Sequence, residues 1–237
     1  MFLSKLILNS RDRQARYDLA RPYELHRTLW RAFPDNDPGR VLFRIDTDRM
    51  GLNPFILVQS DRRPQWHQLN ERGSHYLLEP PQLKEFEPSF KQGQRLRFRL
   101  RANPTKKVAS LLKAERLAGA SGEEGKTKNG RRLALLREEE QVAWLLQKAK
   151  QGGFRIPGEW VQGEDGRKMP NFRIDLIPEG WIHCGKDGHS EGRFFAVRFD
   201  GVLEVTDADQ MRQTVSEGVG PAKGFGFGLL SLARAEG

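Results

Sequence analysis

One stretch of strict alternation constrains the fold more than any other feature of this 237-residue chain. From Arg95 to Arg101, four arginines alternate with Leu96, Phe98 and Leu100. Because successive side chains of a β-strand point to opposite faces, this period of two predicts a strand with an apolar face and an arginine face. The chain therefore contains at least one half-buried strand.

The order of the predicted elements indicates an α+β fold. In the first half, strands and helical stretches are predicted in the order β-α-β-β-α-β, at 2–9, 22–33, 41–46, 54–59, 62–72 and 94–102. This order is that of a ferredoxin-like unit. The second half loosely repeats it, with helices at 138–151 and 207–217 and short strands at 154–156, 172–176, 194–199, 202–205 and 229–233. We therefore predict two small α+β domains, 1–109 and 131–237, joined by a flexible basic connector at 110–130.

Composition excludes several classes of protein. The mean hydropathy is −0.67, and no window approaches the run of roughly 18 apolar residues that a membrane-spanning helix needs. The single cysteine, Cys184, excludes a disulfide framework and a zinc site of the paired Cys-x-x-Cys kind. The first residues are too short and too interrupted for a signal peptide, so we expect a cytoplasmic protein. No metal or other cofactor is expected, because His183, Cys184 and His189 match no standard ligand spacing.

Basic residues exceed acidic ones, and they are clustered. Lysine and arginine total 40 against 31 aspartate and glutamate residues, a formal net charge of +9. Residues 91–107 hold seven basic side chains and no acidic one, and residues 126–137 hold five and none. Arginines spaced about 7 Å apart on one strand face repel one another, and a bound phosphate backbone would relieve that repulsion. A solvated outer face is the alternative for the first cluster, and a solubilising linker is the alternative for the second.

The predicted first helix carries an unusual set of side chains on its outer face. Pro22 fits the first helical position. The face that should pack on the sheet is formed by Leu25, Leu29 and Ala32. The opposite face is formed by Tyr23, His26, Arg27 and Trp30, with Arg31 beside them. Because the N–H groups of a first turn favour an anion, this face is a candidate cradle for a phosphate, and an ordinary surface helix is the alternative.

These side chains suit cleavage of RNA by its own 2′-hydroxyl. The attack on the adjacent phosphate needs a proton acceptor, a proton donor for the leaving 5′-oxygen and positive charge, but no metal. His26 can accept or donate a proton near neutral pH. Tyr23 could share the proton transfer or orient the 2′-OH, although a phenol is the weaker base. Arg27 or Arg31 would hold the phosphate oxygens.

A glycine-rich segment near the C-terminus is the second candidate site. Residues 218–231 read GVGPAKGFGFGLLS, with five glycines in the first eleven positions. The segment ends in a predicted strand and lacks Gly-Lys-Ser/Thr, so it matches neither a P-loop nor a dinucleotide fingerprint. Exposed N–H groups together with Lys223 suit a nucleic-acid backbone, and a tight corner between packed elements is the alternative.

Together these stretches resemble a known family. The segments concerned are MFLSKLILN at the start, PYELHRTL at 22–29, QRLRFRLRANP at 94–104 and the glycine-rich segment. They are similar to the CasE family, the repeat-processing endoribonucleases of the type I-E CRISPR complex Cascade. The resemblance covers most of the chain, and PYxxHRxL and GxGPxKxxGxGLLS are specific in combination.

The resemblance implies a fold and a reaction. The fold is α+β, with two tandem ferredoxin-like, RRM-related domains, each an antiparallel sheet with helices on one face. The reaction is metal-independent cleavage of precursor CRISPR RNA at the base of the repeat hairpin, by Tyr23 and His26, leaving 2′,3′-cyclic phosphate and 5′-hydroxyl ends. The implied partners are the repeat hairpin, the mature guide RNA and other Cascade subunits. Some relatives have lysine in place of Arg31, and an arginine there can act only electrostatically.

The RNA-binding residues are predicted from the basic runs and from the resemblance. The family has a hairpin that contacts the RNA stem at the position of residues 158–170, where Arg167 and Lys168 are the expected contacts. The full set of predicted RNA-binding residues is Arg99, Arg101, Lys106, Arg131, Arg132, Arg167, Lys168, Gly220, Lys223, Gly224 and Gly226.

Other functions stay open at this point. A non-catalytic RNA-binding subunit would protect the hairpin without cutting it. A metal-dependent nuclease would use the pairs Asp46/Asp48 and Asp207/Asp209, although turns and a helix cap also explain these carboxylates. A small-molecule enzyme would need a pocket with convergent polar groups. Three tryptophans are expected in the core or at its edge: Trp144, Trp160 and Trp181.

Overall fold

The computed structural model of the chain describes residues 1–34, 37–48, 53–73, 75–108, 132–163, 168–186 and 189–235. The α-helices in these ranges are α1 (Arg13–Leu19), α2 (Pro22–Trp30), α3 (Glu138–Gln151) and α4 (Ala208–Glu217), and 3-10 helices span Trp66–Gly73 and Lys223–Phe225. The strands are β1 (Phe2–Ile7), β2 (Val41–Thr47), β3 (Pro54–Ser60), β4 (Gln82–Glu85), β5 (Arg95–Ala102), β6 (Thr105–Lys107), β7 (Arg132–Ala134), β8 (Phe154–Arg155), β9 (Gly158–Gln162), β10 (Lys168–Phe172), β11 (Ile174–Lys186), β12 (His189–Val205) and β13 (Leu230–Arg234).

The first sheet has the strand order of a ferredoxin-like domain. Strands β2, β3, β1 and β4 lie side by side in that order, and each neighbouring pair is antiparallel. Helices α1 and α2 connect β1 to β2, and the 3-10 helix Trp66–Gly73 lies between β3 and β4. Leu25 and Leu29 of α2 are fully buried in one core with Leu6 and Ile56 of the sheet. Helix α2 therefore packs its predicted apolar face on the sheet.

The second sheet repeats that order with strands from the rest of the chain. Strands β11, β12, β5 and β13 lie side by side, again with antiparallel neighbours, and the short β8 pairs with β12. When β5 is counted as the first strand, α3, β11, β12, α4 and β13 follow it in ferredoxin-like order. The chain therefore consists of two tandem ferredoxin-like domains, as the sequence indicated.

The assignment of the strand 94–102 to the first domain is wrong. Strand β5 pairs with β12 on one side and with β13 on the other, so it lies inside the second sheet. The edge of the first sheet is β4, which pairs with β1. Three of the four β4 residues are exposed, so β4 has no alternating apolar pattern to mark it. The sheets divide between Glu85 and Arg95, and the connector predicted at 110–130 lies outside the described residues.

The alternating face of β5 is buried as predicted. Leu96, Phe98 and Leu100 are each less than a tenth exposed and lie in the core of the second domain. Trp144 of α3 lies in the same core and stacks on Phe199, with 6.4 Å between ring centroids. These contacts confirm a half-buried strand and a core position for Trp144.

Most other predicted elements are present, with differences at their ends. Helix α3 spans the predicted 138–151, whereas α2 ends at Trp30, short of the predicted residue 33. The strands predicted at 194–199 and 202–205 are parts of the single strand β12. Helix α1 has no counterpart among the predicted elements, although Asp12 caps it by accepting from the N–H of Ala15 at 2.8 Å. No helix among the described residues is both long and apolar enough to cross a membrane.

Two buried polar side chains of the first domain join it to the second. Arg44 on β2 is 2 % exposed, and Gln59 on β3 is 3 % exposed. Arg44 donates to three acceptors of the second domain: the carbonyl oxygens of Arg99 and Leu229 and the Oγ of Ser231. Gln59 donates to the carbonyl of Val215 at 2.7 Å. Because buried polar groups need partners, these bonds favour one arrangement of the two sheets.

Candidate functional site

Two stretches from opposite ends of the chain meet at the junction of the domains. Helix α2 contacts the 3-10 helix Lys223–Phe225 of the glycine-rich segment. A Cβ atom on Gly224 would lie 3.7 Å from Cε1 of His26. The ring of Tyr23 is 5.9 Å from the ring of Phe225, measured between centroids. The structure therefore brings the two candidate sites of the sequence into one site.

Two glycines beside α2 serve different purposes. Gly226 has a φ of +80°, which other residues rarely adopt, and its Cβ would lie 3.2 Å from Cε2 of Phe43. Gly224 is not in the left-handed region, and an added Cβ there would make only ordinary van der Waals contacts with His26. The backbone therefore requires glycine at 226, whereas glycine at 224 leaves space beside the His26 ring.

His26 lies in an aromatic environment. The Nε1–H of Trp30 donates to Nε2 of His26 at 3.1 Å, and the two ring centroids are 5.3 Å apart. The ring of Phe43 stacks on His26, with 6.0 Å between centroids and 28° between planes. Burial lowers the pKa of His26 below its usual value of 6.5, because it disfavours the charged imidazolium. In the neutral ring, an accepting Nε2 places the proton on Nδ1.

The two arginines predicted to bind phosphate interact with other groups of the free protein. Arg27 donates to Glu24 at 3.1 Å, and its side chain is half exposed. Arg31 is exposed, and its charge acts on Tyr76. Burial and the neighbouring Asp18 raise the pKa of Tyr76, and the charge of Arg31 opposes this change. A phosphate contact of Arg27 or Arg31 beside His26 stays a prediction.

Carboxylates neutralise the arginine face of β5. Arg99 donates to both oxygens of Asp200, at 2.7 and 2.9 Å, and Arg101 donates to Glu179 at 2.5 Å. The expectation that these arginines repel one another without compensation is therefore wrong. Strands β11 and β12 supply acidic partners, which are absent from the basic segment 91–107 itself. RNA binding by Arg99 and Arg101 stays a prediction, and it would compete with these ion pairs.

The other predicted RNA-binding residues are spread over the second domain. Lys106 pairs with Glu140 at 3.2 Å, and Arg132 donates to Oγ1 of Thr105 at 3.4 Å. Lys223 is partly buried, and its pKa is lowered by that burial and by the nearby positive charge of Arg40. Gly220 packs closely against Trp144. Arg131 and Arg167 lie outside the described residues, and of Lys168 only the backbone is described.

The hairpin implied by the family resemblance is present. Strands β9 and β10 pair in antiparallel fashion from Gly158 to Phe172. Trp160 of this hairpin meets Phe172 edge-on, with 5.7 Å between ring centroids. Trp160 therefore packs on Phe172, which itself packs against the core of the second domain, and contact of the hairpin with RNA stays a prediction.

Two carboxylates proposed for a metal-dependent nuclease have structural partners. Asp46 pairs with the buried Arg44 at 2.8 Å. Asp207 caps α4 by accepting from the N–H groups of Asp209 and Gln210, as the cap explanation required. Across the described part of the chain, no group of three or more His, Cys, Asp and Glu side chains is placed to hold a metal ion.

Sequence reasoning missed two aromatic residues of the site, Phe225 and Phe43, and the hydrogen bond that Trp30 makes there. The ring of Phe225 lies near Tyr23, and the ring of Phe43 stacks on His26. Trp30 is a hydrogen-bond donor to His26 as well as an aromatic surface. The spacing of four residues between His26 and Trp30 was a usable signal, because such pairs are neighbours on a helix. No local signal marks Phe43, since its contact with His26 depends on how α2 packs on β2.

The fold and the site define the class of this protein. It has two tandem ferredoxin-like domains, and a helix face with tyrosine, histidine and tryptophan lies against a glycine-rich segment. Comparison with known proteins agrees with this class. A family model described as CRISPR associated protein matches residues 1–234. The chain belongs to this family of CRISPR-associated proteins.

Two curated relatives cover nearly the whole chain. The CRISPR-associated endoribonuclease Cse3 of Thermus thermophilus is 38 % identical over 239 residues, which cover 98 % of this chain and 100 % of the relative. The CRISPR system Cascade subunit CasE of Escherichia coli is 34 % identical over 235 residues, covering 98 % and 99 %. Among solved structures, Thermus thermophilus Cse3 bound to an RNA representing a pre-cleavage complex has a TM-score of 0.74 and 38 % identity, with 98 % of both chains covered.

Proposed function

We propose that this chain is an endoribonuclease that cleaves precursor CRISPR RNA at the base of the repeat hairpin. It then stays bound to the product guide RNA and assembles with other Cascade subunits. The observation that carries the proposal is the position of His26 and Tyr23 on α2, directly beside the glycine-rich segment. The relatives support it, since Cse3 is named an endoribonuclease and is solved with RNA, and CasE is named a Cascade subunit.

His26 is the proposed general base. In the neutral ring only Nε2 has a lone pair that can take a proton, because Nδ1 carries the ring hydrogen. The indole N–H of Trp30 occupies that lone pair in the free protein. A ribose 2′-OH is also a hydrogen-bond donor and can replace the indole at Nε2. Trp30 is 37 % exposed, which leaves the side chain room to move aside.

The proton transfers of the proposed reaction need only the RNA and two side chains. Nε2 of His26 takes the 2′-hydroxyl proton, the 2′-oxygen attacks the adjacent phosphorus, and the bond from phosphorus to the 5′-oxygen breaks. The 5′-oxygen takes a proton, for which the Tyr23 hydroxyl and the newly formed His26 imidazolium are the candidate donors. The products are a 2′,3′-cyclic phosphate and a 5′-hydroxyl. The phosphate anion stabilises the imidazolium while it exists.

The test is cleavage of a CRISPR repeat hairpin RNA by the purified protein in EDTA, with both new ends mapped. We expect the wild type to cut once per protein molecule and to leave the two ends named above. His26→Ala should cut about 100-fold more slowly or worse, and it should still bind the hairpin. His67→Ala is the matched control, because His67 is an exposed histidine on the 3-10 helix Trp66–Gly73 and should leave the rate unchanged.

Each contrary result has a definite meaning. A His26→Ala protein that cuts at the wild-type rate overturns the catalytic assignment. Wild-type protein that protects the hairpin without cutting it is a non-catalytic RNA-binding subunit. Activity that disappears in EDTA and returns with magnesium identifies a metal-dependent nuclease.

A further inference from the structure

A cleft of about 590 Å³ lies behind Phe225, the ring beside Tyr23. Phe194 lines the cleft, and its ring is 4.9 Å from Phe225. Phe225 in turn is 5.9 Å from Tyr23, so two rings separate Tyr23 from the cleft. The volume is in the range of pockets that bind small organic groups. The proposed cleavage reaction does not use this cleft.

Trp181 of β11 presents an open aromatic surface to the cleft. Its side chain is 47 % exposed, so the expectation that Trp181 packs in the core or at its edge is incomplete. Phe195 meets the Trp181 ring edge-on at 5.3 Å, and the guanidinium of Arg193 lies 5.5 Å from the ring centroid. These contacts hold the ring in place while leaving much of its surface free. A fixed, exposed indole beside an arginine is suited to stacking on a nucleobase.

Asn103 lines the same cleft and carries a buried, unsatisfied polar atom. The residue is 4 % exposed, and its Oδ1 has no hydrogen-bond partner among the described residues. Such an atom destabilises the free protein, because it has lost its contact with water and gained nothing in return. Its Oδ1 has almost no accessible surface, so a hydrogen-bond donor bound in the cleft satisfies this atom once the Asn103 side chain turns towards the cleft. The exocyclic amino groups of adenine, cytosine and guanine are donors of this kind.

The charge of the cleft favours an anionic ligand. Arg132 and Arg193 both line it, and its described lining residues include no acidic side chain. A nucleotide brings a phosphate with its base, and arginines bind phosphates. An exposed aromatic ring and two arginines together therefore match one nucleotide better than they match a cationic or a purely apolar ligand.

The backbone at the cleft is strained. Ala222 lines it and has a φ of 63°, the only positive φ of a non-glycine residue in the described ranges. Residues in such conformations cluster at binding and catalytic sites. Ala222 also directly precedes the 3-10 helix that holds Gly224 beside His26, so the cleft and the cleavage site share one backbone segment.

We propose that this cleft binds one unpaired nucleobase that carries an exocyclic amino group, stacked on Trp181 and hydrogen-bonded to Asn103. The nucleotide belongs to the single-stranded part of the RNA next to the cleavage site. This inference rests on the proposed function, since it takes RNA to be the molecule bound at His26.

The experiment measures affinity for a repeat RNA with a 2′-deoxy substitution at the mapped cleavage nucleotide, which prevents cutting. Each unpaired nucleotide is replaced in turn by an abasic one. We expect one abasic position to weaken binding to the wild type about tenfold. Trp181→Leu should weaken binding of the intact RNA to a similar extent, and the two changes should not add. Trp181→Phe is the matched control, because it keeps an aromatic ring and should keep most of the affinity.

Asn103→Leu tests the hydrogen bond separately from stacking. At the identified position, wild-type protein should prefer cytosine over uracil, which lacks the amino group, and the variant should lose that preference. The variant should unfold at the same temperature as the wild type or higher, because leucine removes a buried unsatisfied atom. A merely structural asparagine would instead lower the unfolding temperature and leave base preference unchanged.

The outcomes separate this proposal from the proposed function. If the wild type cuts the hairpin and Trp181→Leu binds every RNA as the wild type does, the cleft proposal is overturned and the proposed function stands. A Trp181→Leu protein that keeps its RNA affinity but no longer joins the other Cascade subunits identifies a protein interface, which also overturns it. If the wild type neither binds nor cuts the hairpin, both proposals fail.

Discussion

His26 illustrates how neighbouring side chains set the protonation state of a titratable residue on a helix face. Burial disfavours the imidazolium and lowers the pKa of His26. The hydrogen bond from Trp30 to Nε2 acts in the same direction, because it stabilises the unprotonated nitrogen. A general base must be unprotonated to work, so both contacts prepare His26 for the proposed role.

The pH dependence of cleavage tests this role. With a lowered pKa, His26 is neutral at pH 7 and gains its proton only as the pH falls below about 6.5. We therefore expect the second-order rate constant of single-turnover cleavage, which reports the free protein, to be constant near pH 7 and to fall on the acidic side with a midpoint below 6.5. Trp30→Phe keeps a ring but lacks the N–H, so the pKa of His26 should rise and the acidic limb should move to higher pH. The measurement is the single-turnover rate across the pH range, with protein in excess of the RNA but below saturation.

Two results would contradict this account of His26. A rate that falls as the pH rises through the same range would make His26 the general acid. An acidic limb that does not move in Trp30→Phe would show that the indole N–H has no influence on the imidazole during the reaction.

At the scale of elements, the site depends on how closely the glycine-rich segment approaches α2. Gly224 and Gly226 belong to the same turn, yet only Gly226 has a φ that disfavours other residues. Substitutions at Gly226 therefore test the backbone conformation of the segment, and substitutions at Gly224 test the space beside His26.

Alanine at Gly224 should mainly slow cleavage, whereas alanine at Gly226 should mainly destabilise the fold. Gly224→Ala should change the free energy of unfolding little, because its methyl group would lie at ordinary contact distance from His26. It should slow cleavage about tenfold, as expected when proton transfer by a positioned side chain is partly blocked. Gly226→Ala should lower the free energy of unfolding by about 1–2 kcal/mol, from its positive φ alone. Urea denaturation and single-turnover cleavage measure the two effects.

Gly226→Ala serves as the internal reference for this comparison. If Gly224→Ala cuts as fast as the wild type and is equally stable, the space beside His26 is not used by the substrate. If it is the less stable of the two variants, the explanation from backbone conformation is wrong.

At the scale of the whole molecule, the buried Arg44 links the two sheets. It pairs with Asp46 at 2.8 Å, and the two side chains are 3 % and 9 % exposed. Its remaining hydrogen bonds go to β5, Leu229 and β13 of the second domain. Removing Arg44 leaves the buried Asp46 with only the longer contact to Arg99, at 3.9 Å, and the loss of one member of a buried pair is strongly destabilising.

Arg44→Met should therefore lower the free energy of unfolding by about 3–5 kcal/mol, measured by urea denaturation. Arg62→Ala is the comparison, because the Arg62–Asp37 pair is 56 % and 58 % exposed and such pairs contribute about 1 kcal/mol or less. Combining Arg44→Met with Asp46→Leu should recover part of the loss. Equal effects of the buried and the exposed pair would show that the junction is not held by Arg44.

The sequence by itself determined most of the longer elements and which of their faces are buried, but not helix α1 or strand β4. The alternation in β5 and the helical spacing of Leu25 and Leu29 are local patterns that any packing partner would satisfy. For the same reason these patterns do not indicate which sheet a strand joins, and β5 was assigned to the wrong sheet. The motifs at α2 and in the glycine-rich segment were visible in the sequence, but not the distance between them.

Only the tertiary structure decided which segments meet. It placed Gly224 beside His26, supplied Asp200 and Glu179 to the arginines of β5, and left Trp181 exposed in the same cleft as Asn103. Each of these arrangements joins residues far apart in the chain. They depend on the register and packing of complete sheets, and the sequence around each residue does not indicate them.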